Sequence, residues 1–233
     1  MEQHGMDHAL PPPRRARDPA ATQRSILDAA FVEFSDNGLD GARVDAIAAR
    51  AGTTVRMIYY YFASKDGLYR AVLEHAYAGI RTAERDLGLE ALPPAEAIRL
   101  LAEFVFDYEE ANPRFVRLVS IENIHRAAHI ARSETIGALN QTVITTIGAV
   151  LARGQAQGVF RRDAEPIDVH LLMTAFCFFR VSNRYTLATI FGQDPLSPAL
   201  RARHRRMLVE SVLSFLRGGD GDSVDADVLG ARA

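Results

Sequence analysis

The fold turns on residues 51–65, Ala51-Gly52-Thr53-Thr54-Val55-Arg56-Met57-Ile58-Tyr59-Tyr60-Tyr61-Phe62-Ala63-Ser64-Lys65. Gly52 suits a tight turn, because a left-handed backbone costs glycine least. Thr54 is placed to cap a short helix that begins at Val55. On that helix Ile58 and Phe62 lie one turn apart and anchor inward, which leaves Arg56, Tyr59 and Tyr60 outside. Ser64 caps the following helix. Before the turn, Val44 to Ala51 reads as another short helix burying Ile47, Ala48 and Ala51. Two short helices joined by such a turn have the pattern of a helix-turn-helix, whose second helix enters a major groove.

The chemistry of the outer face agrees. Arg56 can pair bidentately with guanine O6 and N7. Tyrosine hydroxyls and Lys65 suit phosphate oxygens, which position a protein without reading sequence. The helix starting at Ser64 offers free N–H groups to a further phosphate. From Arg43 to Lys65 there are four basic residues against one acid, Asp45, although the chain's formal net charge is −2. Arg14, Arg15 and Arg17 form a second basic cluster, read as either a solvated tail or a minor-groove arm.

Working outward, nearly everything reads as helix. Pro19–Asn37 places Ile26, Ala30, Phe31 and Phe34 on one face, with Asp18 or Thr22 at its start and Gly38 at its end. Further helices are expected from Ser64 to about Arg85, Ala95–Glu110, Pro113–Ala128, Ser133–Gln157, Pro166–Phe191 and Ser197–Leu216. The last carries an apolar stripe of Leu200, Met207, Leu208, Ser211, Val212 and Phe215. No segment alternates with period two, so the fold class is all-α. Residues 1–18, with Pro11, Pro12 and Pro13, and residues 218–233, rich in Gly and Asp, read as disordered tails. Residues 19–65 form the reading head and residues 66–217 a larger domain.

The chain of 233 residues has one cysteine, Cys177, so it forms no internal disulfide. There is no signal peptide and no apolar run of membrane-spanning length; the richest stretch, Ile167–Phe179, is short and contains Asp168 and His170. A cytoplasmic protein without a membrane partner is the expectation. No serine or cysteine has a placed base and no Gly-rich phosphate loop is present, so an enzyme is not expected.

The stretch from Thr22 to Leu73 resembles the DNA-binding domain of the TetR/AcrR family of repressors. The resemblance rests on Ile26-Leu27-Asp28-Ala29-Ala30, Phe34, Gly38, Ile47-Ala48, Ala51-Gly52, Ile58-Tyr59-Tyr60-Tyr61-Phe62 and Ser64-Lys65-Asp66-Gly67-Leu68. It implies a three-helix helix-turn-helix head, a helical effector-binding and dimerisation domain, and a homodimer on double-stranded DNA. It makes Tyr59, Tyr61 and Lys65 phosphate-facing, and Thr54, Val55, Arg56 and Tyr60 base-contact candidates; Thr53 joins them in the turn. Arg43 stands where the family often has a capping threonine, so the cap is lost while a phosphate contact remains open. Tyr61 stands where histidine or arginine is also common.

The second half resembles the family's effector domain more loosely, through residues 151–160 and 178–186. A pocket there should be apolar with a few polar groups. Candidates are Phe104, Tyr108, Phe115, Glu122, His125, Phe176, Phe179, Arg180 and Asn183. Glu122, His125 and His129 share a stripe with Phe115 and Leu118. They suit a polar effector, an internal network or a solvated face; a metal site would need a further group such as His170. No metal or cofactor is expected. An arginine at position 180 favours a carboxylate-bearing ligand. The last two helices are apolar on several faces, which suits packing against a second copy. The function implied is a ligand-responsive repressor that binds a palindromic operator as a dimer and leaves it when a small molecule binds. The alternatives are an activator on the same scaffold and a helical dimer that never meets DNA.

Overall fold

The computed structural model describes residues 18–218, so the two expected tails and the Arg14, Arg15 and Arg17 cluster lie outside the described residues. Ten α-helices are present among the described residues, and no strand. α1 (Pro19–Gly41) begins at Asp18, whose carboxylate accepts the Ala20 N–H at 3.0 Å. Gly38, at φ 71°, kinks the helix without ending it, so one further turn follows where a stop was expected. α2 (Val44–Arg50), α3 (Val55–Phe62) and α4 (Lys65–Arg85) then follow. Ile26, Phe34, Ile47, Ile58, Leu68 and Tyr69 are fully buried together in the head core. That core also takes in Leu118 and Ile136 from the second half, so no cleft in packing falls at residue 65.

The second half comprises α5 (Pro94–Ala111), α6 (Pro113–Ile124), α7 (Glu134–Ala156), α8 (Pro166–Ser182), α9 (Arg184–Phe191) and α10 (Pro198–Arg217). Its core joins Ile98 and Phe106 of α5, Ile147 of α7, Met173 and Cys177 of α8, and Val212 of α10. Each of the Ile, Phe, Met and Val side chains contributes about 1.5–3 kcal/mol through burial. α10 buries Leu208, Val209, Val212, Leu213 and Leu216, while Met207 and Ser211 face out. The expected stripe is therefore rotated by one position, because α5 and α8 flank the helix on two sides.

Three other expectations change. α6 stops at Ile124, four residues early, because the Glu122 carboxylate accepts the backbone N–H groups of His129 at 2.6 Å and Ile130 at 3.1 Å. This folds the chain back through Arg126 and Ala127, both at positive φ. The stripe of Glu122, His125 and His129 is thus not one helix face. The single helix expected from Pro166 to Phe191 divides at Asn183 into α8 and α9. Each side of the break is tied to the segment before α10: Arg180 donates to the Pro195 carbonyl at 3.3 Å and Arg184 to Asp194 at 2.6 Å. Finally, α7 is long and apolar enough, by length and composition, to cross a membrane, which the sequence reading missed. Its apolar character has a use in the fold, where Ile136, Val143, Ile147, Val150 and Leu151 are buried.

Gly154, near the end of α7, lies directly under the Phe160 ring, and a Cβ there would overlap the ring carbons. Overpacking of this kind typically costs about 1–3 kcal/mol. Gly154→Ala is expected to lower the midpoint of thermal unfolding by several degrees; an unchanged melting curve would show that the Phe160 ring is free to move.

Candidate nucleic-acid interface and ligand cavity

The turn between α2 and α3 is closed by backbone. Gly52, at φ 63°, follows Ala51, and the Thr53 N–H bonds to the Ala48 carbonyl at 2.9 Å. α3 starts at Thr54, whose hydroxyl accepts the Met57 N–H at 3.3 Å. Ile58 and Phe62 fasten α3 to the head core. Its opposite side is in solvent: Thr54 and Arg56 are exposed, Tyr59 is 44% exposed and Tyr60 77%. Thr53, Val55 and Tyr61 are half-buried, and the Tyr61 ring meets Tyr60 edge-on at 5.2 Å. Arg56, Tyr59 and Tyr60 therefore protrude together from one short helix.

Two candidates at the edge of this face already have partners. Arg43 is exposed but holds Asp45 through two bonds, of 2.7 and 3.1 Å. Lys65 donates its Nζ to the Asp40 carbonyl at 3.3 Å, which keeps the ammonium beside the end of α1. The cap expected to be lost at Arg43 is supplied from elsewhere. Glu33 of α1, 7% exposed, accepts the Arg43 N–H at 3.1 Å at the start of α2. A carboxylate there also meets the positive end of the helix dipole. Along the sequence, Glu33 is marked by being an acid among the apolar residues of α1, a signal too weak to show its role.

The joint between α3 and α4 explains the run Ser64-Lys65-Asp66-Gly67-Leu68. Ser64 Oγ accepts the Gly67 N–H at 2.9 Å. A Cβ at Gly67 would collide with the Phe62 carbonyl, so this close approach requires glycine. Gly67→Ala should turn α3 on α4. The expected result is a loss of DNA affinity of tenfold or more while ligand affinity changes little, read by fluorescence anisotropy and calorimetry.

The second site is a cavity of about 390 Å³ between α4, α5, α6, α7 and α8. Tyr77, Ile80, Val105, Phe115, Ile136 and Phe178 give it apolar and aromatic walls. Arg81, Glu84, Glu109, Asn123, Asn140 and His170 supply polar groups. Arg81 and Glu84 form a buried ion pair at 2.5 Å. Burial raises the Glu84 carboxyl, an effect that Arg81 opposes. Burial also pushes Glu109 from the usual 4.5 up to about 8, although Arg180 and Arg81 pull the other way. His170 is lowered by burial and then by Arg81.

Of the residues expected at an effector site, Phe115 is on this wall. Tyr108 and Phe104 pack behind it, with Tyr108 at 6.3 Å from the Phe115 ring. The others are not on the wall. Glu122 is spent on the backbone and on His129, and His125 caps the end of α6. Phe176 meets His204, Phe179 is 56% exposed, and Asn183 bonds to Ser182. Arg180 is buried against Phe106, 3.9 Å from the ring centre, and pairs with Glu110 at 2.8 Å. It staples α8 to α5 and is not held ready for a ligand carboxylate. Arg81, Glu84, Glu109 and His170 were missed, since helical spacing alone does not tell an inward charge from a solvated one.

Glu109 also makes stability depend on pH. Its folded value lies above its unfolded one, so folding holds the proton and ionisation opposes folding. The penalty is absent below pH 4.5, grows as pH rises towards about 8, and then levels off. Glu109→Gln is expected to melt higher than the unaltered chain at pH 8, with the gap closing towards pH 4.5; a gap of constant size would refute the assignment.

Comparison with known proteins agrees with this layout. Residues 26–72 match the family model described as bacterial regulatory proteins, tetR family. Residues 94–212 match the tetracyclin repressor-like C-terminal domain. The chain is 35% identical over 203 residues to the HTH-type transcriptional repressor NicS of Pseudomonas putida, covering 87% of this chain and 96% of that one. It is 30% identical over 166 residues to the HTH-type transcriptional repressor SCO4008 of Streptomyces coelicolor, covering 71% and 81%. Among solved structures, the SCO4942 protein of Streptomyces coelicolor superposes with a TM-score of 0.64 at 26% identity, covering 84% of this chain and 99% of that one. With a protruding reading helix at one end, a walled cavity at the other and both family models in register, the chain belongs to the TetR family of bacterial regulatory proteins.

Proposed function

We propose that the chain is a ligand-responsive repressor. It binds a palindromic operator as a homodimer and releases it when a small molecule fills the cavity. The observation that carries this reading is α4: its first turns hold α3, and its last turns supply Tyr77, Ile80, Arg81 and Glu84 to the cavity. A helix of that length spans about 30 Å, so a small tilt at the ligand end moves the reading helix. α6 gives a second connection. It lends Phe115 and Val119 to the cavity, while Arg114 and Arg117 reach Asp36 on α1 at 3.5 and 3.2 Å. The ligand works only through different affinities for the two head positions.

The two curated relatives named above are repressors, which favours repression over activation. In this reading residues 19–65 form the head and residues 66–217 the sensing and dimerising part, working in the cytoplasm. Thr53, Thr54, Val55, Arg56 and Tyr60 face bases, and Tyr59, Tyr61, Lys65 and Arg43 face phosphates. The dimer uses α8 and α10. On α8, Ile167 is 55%, Leu171 61% and Phe179 56% exposed, and on α10 Met207 is 43% exposed. Such an apolar surface is costly in water and suits a self-complementary interface. Two heads then meet half-sites one helical turn or more apart.

Arg56→Ala is expected to flatten the difference between operator and random DNA by about 1–3 kcal/mol. Lys65→Ala should weaken both evenly and reduce the salt slope. Phe179→Glu should give monomers in sedimentation and lose operator binding with them. The regulatory reading fails if the chain shows no salt-dependent preference for palindromic DNA, or if a bound ligand and operator do not weaken each other by the same factor.

A further inference from the structure

The cavity wall is mostly apolar, yet two of its charged residues are left incompletely satisfied. Arg81 is 7% exposed and Glu109 is 4% exposed. Arg81 donates from Nη1 to Glu84, but its Nε has no hydrogen-bond partner among the described residues, and neither does Oε2 of Glu109. An unpaired buried group of this kind destabilises the fold. Native folds leave few of them, and each calls for a reason. Buried atoms of Tyr69, Arg180 and His204 are unpaired too among the described residues, but none of those residues lines this cavity, where two such atoms fall on one wall; the buried carboxylates Glu33 and Glu122 are bonded to backbone N–H groups. Arg81 and Glu109 come from different helices, α4 and α5, and both line the one cavity.

Building on the repressor reading, we propose that this cavity takes a compact, flat, uncharged molecule of one or two rings. It carries a hydrogen-bond acceptor for Arg81 next to a donor for Glu109, the pairing that an amide on or within a ring presents. Size supports this, because about 390 Å³ is near the lower end of ligand pockets, which run roughly 300–1,000 Å³. Shape supports it too. Tyr77, Phe115 and Phe178 give aromatic walls, with Tyr77 edge-on to Phe115 at 5.5 Å. Charge narrows the class further. Glu84 already neutralises Arg81, and burial keeps Glu109 largely protonated and His170 neutral near pH 7. At the depth of Arg81 and Glu109 a carboxylate or ammonium guest would lack a free counter-charge, which is expensive away from water, whereas the mouth of the cavity at Asn123, Leu171 and Ala175 is exposed. An amide carbonyl can accept from Arg81 while its N–H meets a Glu109 oxygen, and no net charge is buried.

Titration calorimetry of the full chain with benzamide, benzoate, benzamidine and toluene tests this, since the four keep one ring and change mainly its charge and polarity. Benzamide is expected to bind about tenfold or more tighter than each of the others, as one or two satisfied hydrogen bonds would give. Arg81→Met and Glu109→Leu should each remove that advantage. If either variant fails to melt cooperatively, the ranking of the four probes on the unaltered chain decides. Tightest binding by benzoate or benzamidine overturns the proposal. So does toluene matching benzamide, or the absence of any binding at millimolar probe. Operator binding is measured separately on ligand-free protein. Without it the repressor reading falls, while the probe ranking still judges the ligand class. If operator binding is present and only a charged or long-chain compound relieves it, the repressor reading stands and the ligand class falls.

Discussion

The close approach of Gly67 to the Phe62 carbonyl sets how α3 stands on α4. With no side chain at Gly67, the Ser64 cap closes and the last turn of α3 packs almost against the first turn of α4. Leu68, Tyr69, Val72 and Leu73 then bury into the head, so α4 cannot roll independently of it. The same rod ends in Ile80, Arg81 and Glu84 on the cavity wall. In the proposed function, reading and sensing are two ends of one continuous helix.

Burial of polar groups follows two patterns in this chain. Where a charge serves architecture, its bonds tie separate elements together. Glu33 caps α2, Glu122 gathers the N–H groups that end α6, and Arg180 spans α8, α5 and the Pro195 carbonyl while stacking on Phe106. Removing one partner from such a set leaves the other uncompensated, which is why these groups hold the connections firmly. In the cavity the pattern differs. Arg81 and Glu109 are as deeply buried, and like Arg180, whose Nη1 is unpaired, each retains an atom with no partner among the described residues; theirs border the cavity. A wall that is stable without complete pairing gains most from a guest that completes it.

Coupling between the two ends also has a lateral path. α6 touches the cavity through Phe115 and Val119, and it touches the head through the Asp36 ion pairs and through Leu118 in the head core. The exposed ion pairs contribute little energy. The buried Leu118 contact is the stronger link, because packed cores move between discrete arrangements and do not deform smoothly. The head shares its core with α6 and α7 through Leu118 and Ile136, which in the proposed function carries a shift of those helices to it.

Local chemistry by itself determined the reading head. Gly52, Thr54, Ser64 and the inward pair Ile58 and Phe62 act over a few residues, so turn, caps and helix faces were legible before any tertiary contact was known. The all-helical class and most helix limits followed from the same short-range rules. Tertiary structure decided what lies between distant helices. It ended α6 at Ile124 through Glu122, divided Pro166–Phe191 at Asn183, replaced the missing cap at Arg43 with Glu33, and put Arg81, Glu84, Glu109 and His170 around the cavity in place of Glu122 and Arg180. The physical reason is range. Caps and turns are settled by neighbours along the chain, whereas a charged side chain on a helix faces a solvent, a partner or a ligand only according to which other helix is laid against it.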